Sequence, residues 1–132
     1  MIKNKTGFTL FELLVSISII GILVAIASIS YSAAQKKARD SRRMEDMNGI
    51  QKAAEMYYSA NSYAYPAALS VLSPNYLQTV PSDPKGVTPY VYTPTASGYC
   101  ACAAMEGVSS GNSSDNACTF GSGNFYCVKS QQ

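Results

Sequence analysis

The chain contains a run of 19 residues without a charge, from Leu13 to Tyr31. As an α-helix, the run would measure about 28 Å, which matches the hydrocarbon core of a bilayer. A stretch rich in basic and acidic residues follows it, from Lys36 to Asp46. The sequence therefore predicts a helix that inserts into a membrane.

The helical pattern continues beyond the apolar run. Apolar side chains recur there at spacings of three and four, which is typical of one buried face of a helix. No proline occurs before Pro66, so we expect one helix from Phe8 to about Ser59. The residues of its apolar face are Met44, Met47, Ile50, Ala54 and Tyr57.

The basic cluster from Lys36 to Arg43 could contact lipid phosphates or DNA. A solvated helix face is the favoured interpretation, with local ion pairs between residues four apart. Ten basic and eight acidic residues give a net charge of +2, which is too small to predict a nucleic-acid partner. The predicted local pairs are Lys36 with Asp40 and Arg42 with Asp46.

After Asn61 the chain changes character, because all six prolines lie there and interrupt any long element. Aromatic and small residues in short runs predict strands that pair into a small antiparallel sheet. The fold class is therefore α+β, with a long N-terminal helix packed against this sheet. The predicted elements are a helical turn at 67–72, strands at 90–92 and 98–105, one or two strands within 116–128, and a polar loop without core residues at 109–116.

The four cysteines all lie in the last third of the chain: Cys100, Cys102, Cys118 and Cys127. An even number in one region favours two disulfides and an exported domain. Antiparallel pairing of the two segments would nest the bridges, Cys100 with Cys127 and Cys102 with Cys118. A zinc site is the alternative, although the C-x-C spacing is tighter than the usual C-x2-C. The chain has no histidine, which removes the commonest general base, so we expect no enzyme.

The residues Gly7-Phe8-Thr9-Leu10-Phe11-Glu12 stand directly before the apolar run. This motif resembles the prepilin processing site of type IV pilins and type II secretion pseudopilins, and the resemblance is close from Lys5 to about Ile26. It implies the type IV pilin fold and a prepilin peptidase that cuts between Gly7 and Phe8 and methylates Phe8. It also implies a single-pass protein of the bacterial inner membrane with a periplasmic or extracellular C-terminal domain. An inner-membrane assembly platform would then build copies of the chain into a filament.

The resulting division of the chain has four parts. They are a leader peptide at 1–7, a transmembrane or filament-core helix at 8–34, the amphipathic half of that helix at 35–60, and a small β-rich globular domain with disulfides at 61–132. Removal of the leader takes away Lys3 and Lys5, so that eight basic residues remain against eight acidic ones. A nearly neutral surface suits a subunit that packs against copies of itself.

Glu12 is the predicted assembly residue. A carboxylate at this depth costs about 2 to 3 kcal/mol in lipid unless it finds a partner. The free amine of Phe8 in a neighbouring subunit would be such a partner, in competition with the amides of the first helical turn. This pairing would neutralise both charges and set the axial offset between helices.

Three functions remain open. Similarity beyond Ala34 favours the major pseudopilin of a type II secretion system, and the alternative is a type IV pilus subunit for adhesion, twitching or DNA uptake. A membrane-anchored exported domain that binds a ligand is an alternative of another class. An ordinary secretory signal with a cleavage site at Ala25-Ile26-Ala27 is less favoured, because the apolar run is too long and begins with an acid.

Two details of the family pattern are left undecided by the sequence. Many family members carry a proline where this chain has Ile29 and Ser30, so local unwinding of the helix would have to begin at Gly21. The resemblance to major pseudopilins, which bind calcium in a C-terminal loop, makes Asp115 the candidate calcium ligand here. A single carboxylate is few for calcium, so a solvated turn is favoured and no cofactor is expected.

Overall fold

The computed structural model of the chain describes residues 7–86 and 88–132. The predictions for Lys3, Lys5 and the rest of the leader before Gly7 lie outside the described residues. The chain divides into two compact units, of which one ends at Gln35 and the other comprises Lys36–Gln132. They are called the N-terminal unit and the globular unit below.

Helix α1 spans Leu10–Ala60, close to the predicted bounds. Within the described residues, it is the one helix long and apolar enough to cross a membrane, and nothing in its apolar window is buried. Its serines there donate hydrogen bonds to carbonyl oxygens four residues earlier, so their hydroxyls need no outside partner in an apolar environment. These serines are Ser16, Ser18, Ser28 and Ser30.

The globular unit contains a short 3-10 helix and a five-stranded antiparallel sheet, which confirms the predicted α+β class and the packing of a long N-terminal helix against a sheet. The predicted helical turn is the 3-10 helix Leu69–Leu72. The strands are β1 Val91–Thr95, β2 Gly98–Ala104, β3 Gly111–Ser113, β4 Phe120–Gly123 and β5 Phe125–Lys129. Their order in the sheet is β1-β2-β5-β3-β4.

The central strand β2 supplies the surface on which α1 packs. Its side chains alternate between the two faces of the sheet, and Tyr99, Ala101 and Ala103 belong to the same buried cluster as Met47 and Ile50 of α1. Alanine at two of these positions lets the helix approach the sheet closely. The predicted apolar face of the helix is therefore the face that forms the core.

The prediction of a coreless polar loop at 109–116 is wrong. Strand β3 lies within it, and Ser113 is fully buried. The Ser113 hydroxyl lies 2.9 Å from the carbonyl oxygens of both Asp115 and Thr119. The Asn112 side-chain amide accepts the backbone N–H of Cys127 at 2.7 Å and donates to its carbonyl oxygen at 2.9 Å, as a neighbouring strand would. Polar side chains here make hydrogen bonds to buried backbone groups. The hydrophobicity of the sequence does not indicate this role, so the loop was predicted to be solvated.

A buried ionic network ties α1 to two distant turns of the globular unit. The Arg43 guanidinium donates to Asp83 at 2.6 Å, to Asp40 at 2.7 Å and to Glu106 at 2.9 Å. Asp40 in turn accepts the backbone N–H groups of Glu106 and Gly107, both at 2.9 Å. The prediction of a solvated basic face is therefore wrong at Asp40 and Arg43, because tertiary partners take them out of water.

The charged groups of this network shift one another's pKa values. The pKa of Asp83 is lowered chiefly by its hydrogen bond from Arg43. The pKa of Glu106 is held far below its usual range, first by Arg39 and then by Arg43. The pKa of Arg43 is raised, mainly by Asp83. All three groups therefore stay charged near neutral pH, and each depends on the others for compensation.

Replacing Arg43 by methionine should destabilise the globular unit by about 3 to 5 kcal/mol, because the buried carboxylates of Asp40 and Asp83 would lose their counter-charge. Guanidinium unfolding of the full chain in detergent micelles, followed by tyrosine fluorescence, measures the loss. Arg42→Met is the matched control, since Arg42 is exposed on the same helix and should change stability by less than about 0.5 kcal/mol. Equal effects of the two substitutions would contradict a structural role for the network.

Candidate functional site

The predicted processing site lies at the start of the described chain. Gly7 and Phe8 are exposed and precede the helix without regular secondary structure. A Cβ atom built on Gly7 would meet nothing within 4 Å. No contact within the described chain therefore requires glycine at this position.

Thr9 and Glu12 form a reciprocal cap at the first turn of α1. The Glu12 Oε2 atom accepts the Thr9 backbone N–H at 2.9 Å and the Thr9 hydroxyl at 2.7 Å. The Glu12 backbone N–H donates to the Thr9 hydroxyl oxygen at 3.2 Å. This arrangement is a capping box, which satisfies two backbone N–H groups that a helix otherwise leaves unpaired.

The sequence analysis did not single out Thr9, although the pattern Thr-x-x-Glu before an apolar run is the sequence signature of a capping box. Both side-chain and backbone contacts of Thr9 use one carboxylate oxygen of Glu12. Among residues 7–86 and 88–132, nothing donates to its other oxygen, Oε1. The cap therefore orients the carboxylate while leaving one acceptor for a further donor.

The four cysteines are joined as Cys100–Cys118 and Cys102–Cys127, so the predicted nested pairing is wrong. Its premise of antiparallel pairing holds, but the register places Cys102 directly opposite Cys127 and Cys100 opposite Lys129. Cys127 therefore bonds its direct neighbour on β2. Cys118 reaches Cys100 from the loop between β3 and β4, where its backbone is left-handed, with φ of 60°.

Asp115, the candidate calcium ligand, caps its own loop. Its Oδ1 atom accepts the backbone N–H groups of Ala117 at 2.9 Å and Thr119 at 3.1 Å. The pKa of Asp115 is lowered, chiefly by a hydrogen bond from the Thr119 side chain and further by the backbone N–H groups of Ala117 and Thr119, because each stabilises the charged carboxylate. In the described part of the chain, Asp115 belongs to no group of three or more potential metal ligands. The observed contacts give Asp115 a structural role, which is to hold the loop that carries Cys118.

Comparison with known proteins agrees with this arrangement. Residues 2–28 match the family model of the prokaryotic N-terminal methylation motif. The chain is also similar to the type IV wide pilus major component PilA4 of Thermus thermophilus, with 37% identity over 107 residues, which cover 80% of this chain and 77% of that protein. The chain belongs to the type IV pilin family. No solved structure matches it significantly.

Membership of this family makes the pilin a structural protein of filaments and not an enzyme. It also explains why the apolar side chains of the helix in the N-terminal unit are exposed in a single chain. In filament subunits, such a helix is covered by lipid before assembly and by other subunits afterwards. Within the pilin, Phe8 and Leu10 are each 81% exposed, so their burial must come from outside the single chain.

Thr9→Val should loosen the first turn of α1, because the isosteric side chain removes the hydroxyl that both donates to and accepts from Glu12. We expect a loss of about 1 kcal/mol in local stability, seen as roughly fivefold faster amide hydrogen exchange in the first turn. Exchange of the pilin in detergent micelles measures this. Thr9→Ser keeps the hydroxyl and is the matched control. Unchanged exchange in Thr9→Val would mean that the hydroxyl does not stabilise the turn.

Proposed function

We propose that this pilin is the major subunit of a type IV pilus. The observation that supports a pilus over a secretion pseudofilament is the similarity to the wide-pilus major component across 107 residues. An alignment of that length extends far beyond the N-terminal motif, which pilins and pseudopilins share, into the globular unit. This favours the pilus alternative of the sequence analysis over its main interpretation, the major pseudopilin.

The proposed precursor is cut between Gly7 and Phe8, and Phe8 is then methylated on its new amine. The match of residues 2–28 to the methylation motif and the exposure of Gly7 and Phe8 support this step. The proposed parts are the leader 1–7, the filament-core helix 8–34, the amphipathic helix 35–60 and the globular domain 61–132. The division of the structure after Gln35 supports the boundary between the two helical parts.

Assembly is proposed to proceed through Glu12. Before assembly, the Thr9 cap offers the carboxylate two hydrogen-bond donors in the same chain. These donors are neutral, so they lower the cost of placing Glu12 near lipid without cancelling its charge. The methylated amine of Phe8 in a neighbouring subunit is a cation and can contact the remaining oxygen. This ion pair would then fix the axial offset between the helices in the filament.

The proposed location follows from this sequence of events. The precursor is held in the bacterial inner membrane by the apolar part of α1, and the globular unit lies in the periplasm or outside the cell. The disulfides of that unit support an oxidising compartment. The proposed partners are lipid, the prepilin peptidase, the inner-membrane assembly platform and further copies of the pilin.

Deletion of the gene should abolish surface filaments and leave the secretion of exported enzymes unchanged. Filaments sheared from wild-type cells should contain this chain with an N-terminal methylated Phe8, as measured by intact mass and peptide sequencing. Loss of secretion without loss of filaments would instead support the pseudopilin. A mature chain beginning at Ser28 would show cleavage by an ordinary signal peptidase and contradict the proposal.

Glu12→Ala should still be inserted and cut after Gly7, because the membrane helix and the scissile bond are unchanged. It should enter filaments poorly, since the amine of the neighbouring Phe8 would lose its counter-charge. Glu12→Asp should assemble better than Glu12→Ala, but less well than the wild type because of its shorter reach. The measurement compares processed pilin in membranes with pilin in sheared filaments. Normal filament yield from Glu12→Ala would show that apolar packing alone sets the offset.

A further inference from the structure

The outer face of the sheet carries a compact cluster of four sulfur atoms. The Sγ atoms of Cys100, Cys102, Cys118 and Cys127 all lie within 4.8 Å of one another. Across the two bridges, the Cys100 and Cys102 sulfurs are 3.5 Å apart. Residues two apart on β2 and one opposite on β5 supply three of the sulfurs, and the loop held by Asp115 supplies the fourth.

These distances fit a second chemical state of the same residues. Four thiolates bind zinc in a tetrahedron with Zn–S bonds of about 2.3 Å, which places the sulfurs about 3.8 Å apart. Within each disulfide the sulfurs are closer than this, and reduction lets side-chain rotation separate them. Since no two sulfurs are more than 4.8 Å apart, all four can reach one ion with shifts of the side chains alone.

The surroundings of the cluster also suit a buried ion. Cys102 and Cys127 are each 1% exposed and Cys100 is 7% exposed, so three of the four sulfurs are shielded from water, while Cys118 is partly exposed. Lys129 stands opposite Cys100 in the sheet register, on the same face as Cys127, and its ammonium group lies over the ring of Phe120 at 5.3 Å. A cation at this position reduces the cost of the double negative charge that four thiolates carry around one Zn²⁺.

Backbone carbonyls compete with the metal for the cluster. The sulfurs of Cys118 and Cys127 each lie 3.4 Å from a carbonyl oxygen, of Val128 and Asp115 respectively. The sulfur of Cys100 is 3.8 Å from the carbonyl oxygen of Asn116. In a reduced chain these oxygens can accept hydrogen bonds from thiols. Because zinc binds thiolates and not thiols, its binding must displace the four thiol protons and break these hydrogen bonds.

We propose that the globular unit binds one Zn²⁺ through these four cysteines in its thiol state, before the disulfides form. Binding releases four protons, and the ion holds β2, β5 and the Cys118 loop in the same arrangement that the bridges later fix. Oxidation then takes four electrons from the four thiolates and releases Zn²⁺. Two molecules of a disulfide oxidant accept these electrons with four protons and leave as four thiols.

The test uses the full chain in detergent micelles. Peptide mapping first identifies the bridges Cys100–Cys118 and Cys102–Cys127, and a phosphine then reduces them without oxygen. After removal of the phosphine, Co²⁺ is added as a spectroscopic probe and is displaced by Zn²⁺. We expect one ion per chain, with the intense thiolate charge-transfer and tetrahedral ligand-field absorption of a four-sulfur site. The oxidised chain is the matched control and should show none of this absorption.

Variants and proteolysis separate a folded site from adventitious binding. Cys118→Ser should weaken zinc binding by at least roughly 100-fold. The double variant Cys100→Ser with Cys118→Ser should abolish tetrahedral binding, while its remaining cysteines can still form the Cys102–Cys127 bridge that keeps the sheet joined. Zinc should also restore to the reduced chain the protease resistance of the oxidised globular unit.

Three results would overturn the proposal. They are cobalt absorption that is no stronger in the reduced chain than in the oxidised one, octahedral absorption typical of carboxylate ligands, and tetrahedral binding that leaves the globular unit sensitive to protease. The last result would mean that the ion binds an unfolded chain rather than the geometry described above. None of these results bears on filament formation, so the proposed pilus function is tested separately.

Discussion

The guanidinium group of Arg43 joins three segments of the globular unit that are far apart in sequence. It extends from α1 to Asp83 in the proline-rich loop and to Glu106 in the turn after β2. Both disulfides lie between Cys100 and Cys127, so neither of them connects the helix to the sheet. Apolar packing brings the two layers together, whereas the network adds directional contacts that select one placement of the loops.

Helix α1 meets two different environments along its length. In the N-terminal unit its apolar side chains are exposed on all sides. Thr9 and Glu12 hydrogen-bond each other there, and the serine hydroxyls donate to backbone carbonyl oxygens of the same helix. In the globular unit Met47, Ile50 and Ala54 are fully buried within the chain. The first part therefore needs lipid or other subunits to cover it. This requirement is what links the fold of one subunit to filament formation.

The two faces of the sheet have separate tasks because side chains alternate along a strand. On β2, Tyr99, Ala101 and Ala103 face the core with α1, while Cys100 and Cys102 form a second cluster with Cys127. Core packing and covalent linkage thus use the same short strand without competing for space. The disulfides join β2 to its neighbour β5 and to the loop between β3 and β4, and such bridges add stability where a small unit can bury only a modest core.

The elements that depend on a local pattern of residues could be predicted from the amino-acid sequence. The apolar face of α1 followed from the periodicity of its apolar residues, and its length followed from the absence of proline. Strand β2 was indicated by a short run of aromatic and small residues. The candidate site at Gly7, Phe8 and Glu12 was indicated by a contiguous motif. The features that depend on strand register and on partners distant in sequence could be found only in the folded chain. Cys127 bonds Cys102 because the register of β2 and β5 places them opposite each other. Arg43 is buried because Asp83 and Glu106 reach it from other segments, and the energy of a buried polar group is set by such partners rather than by its own side chain.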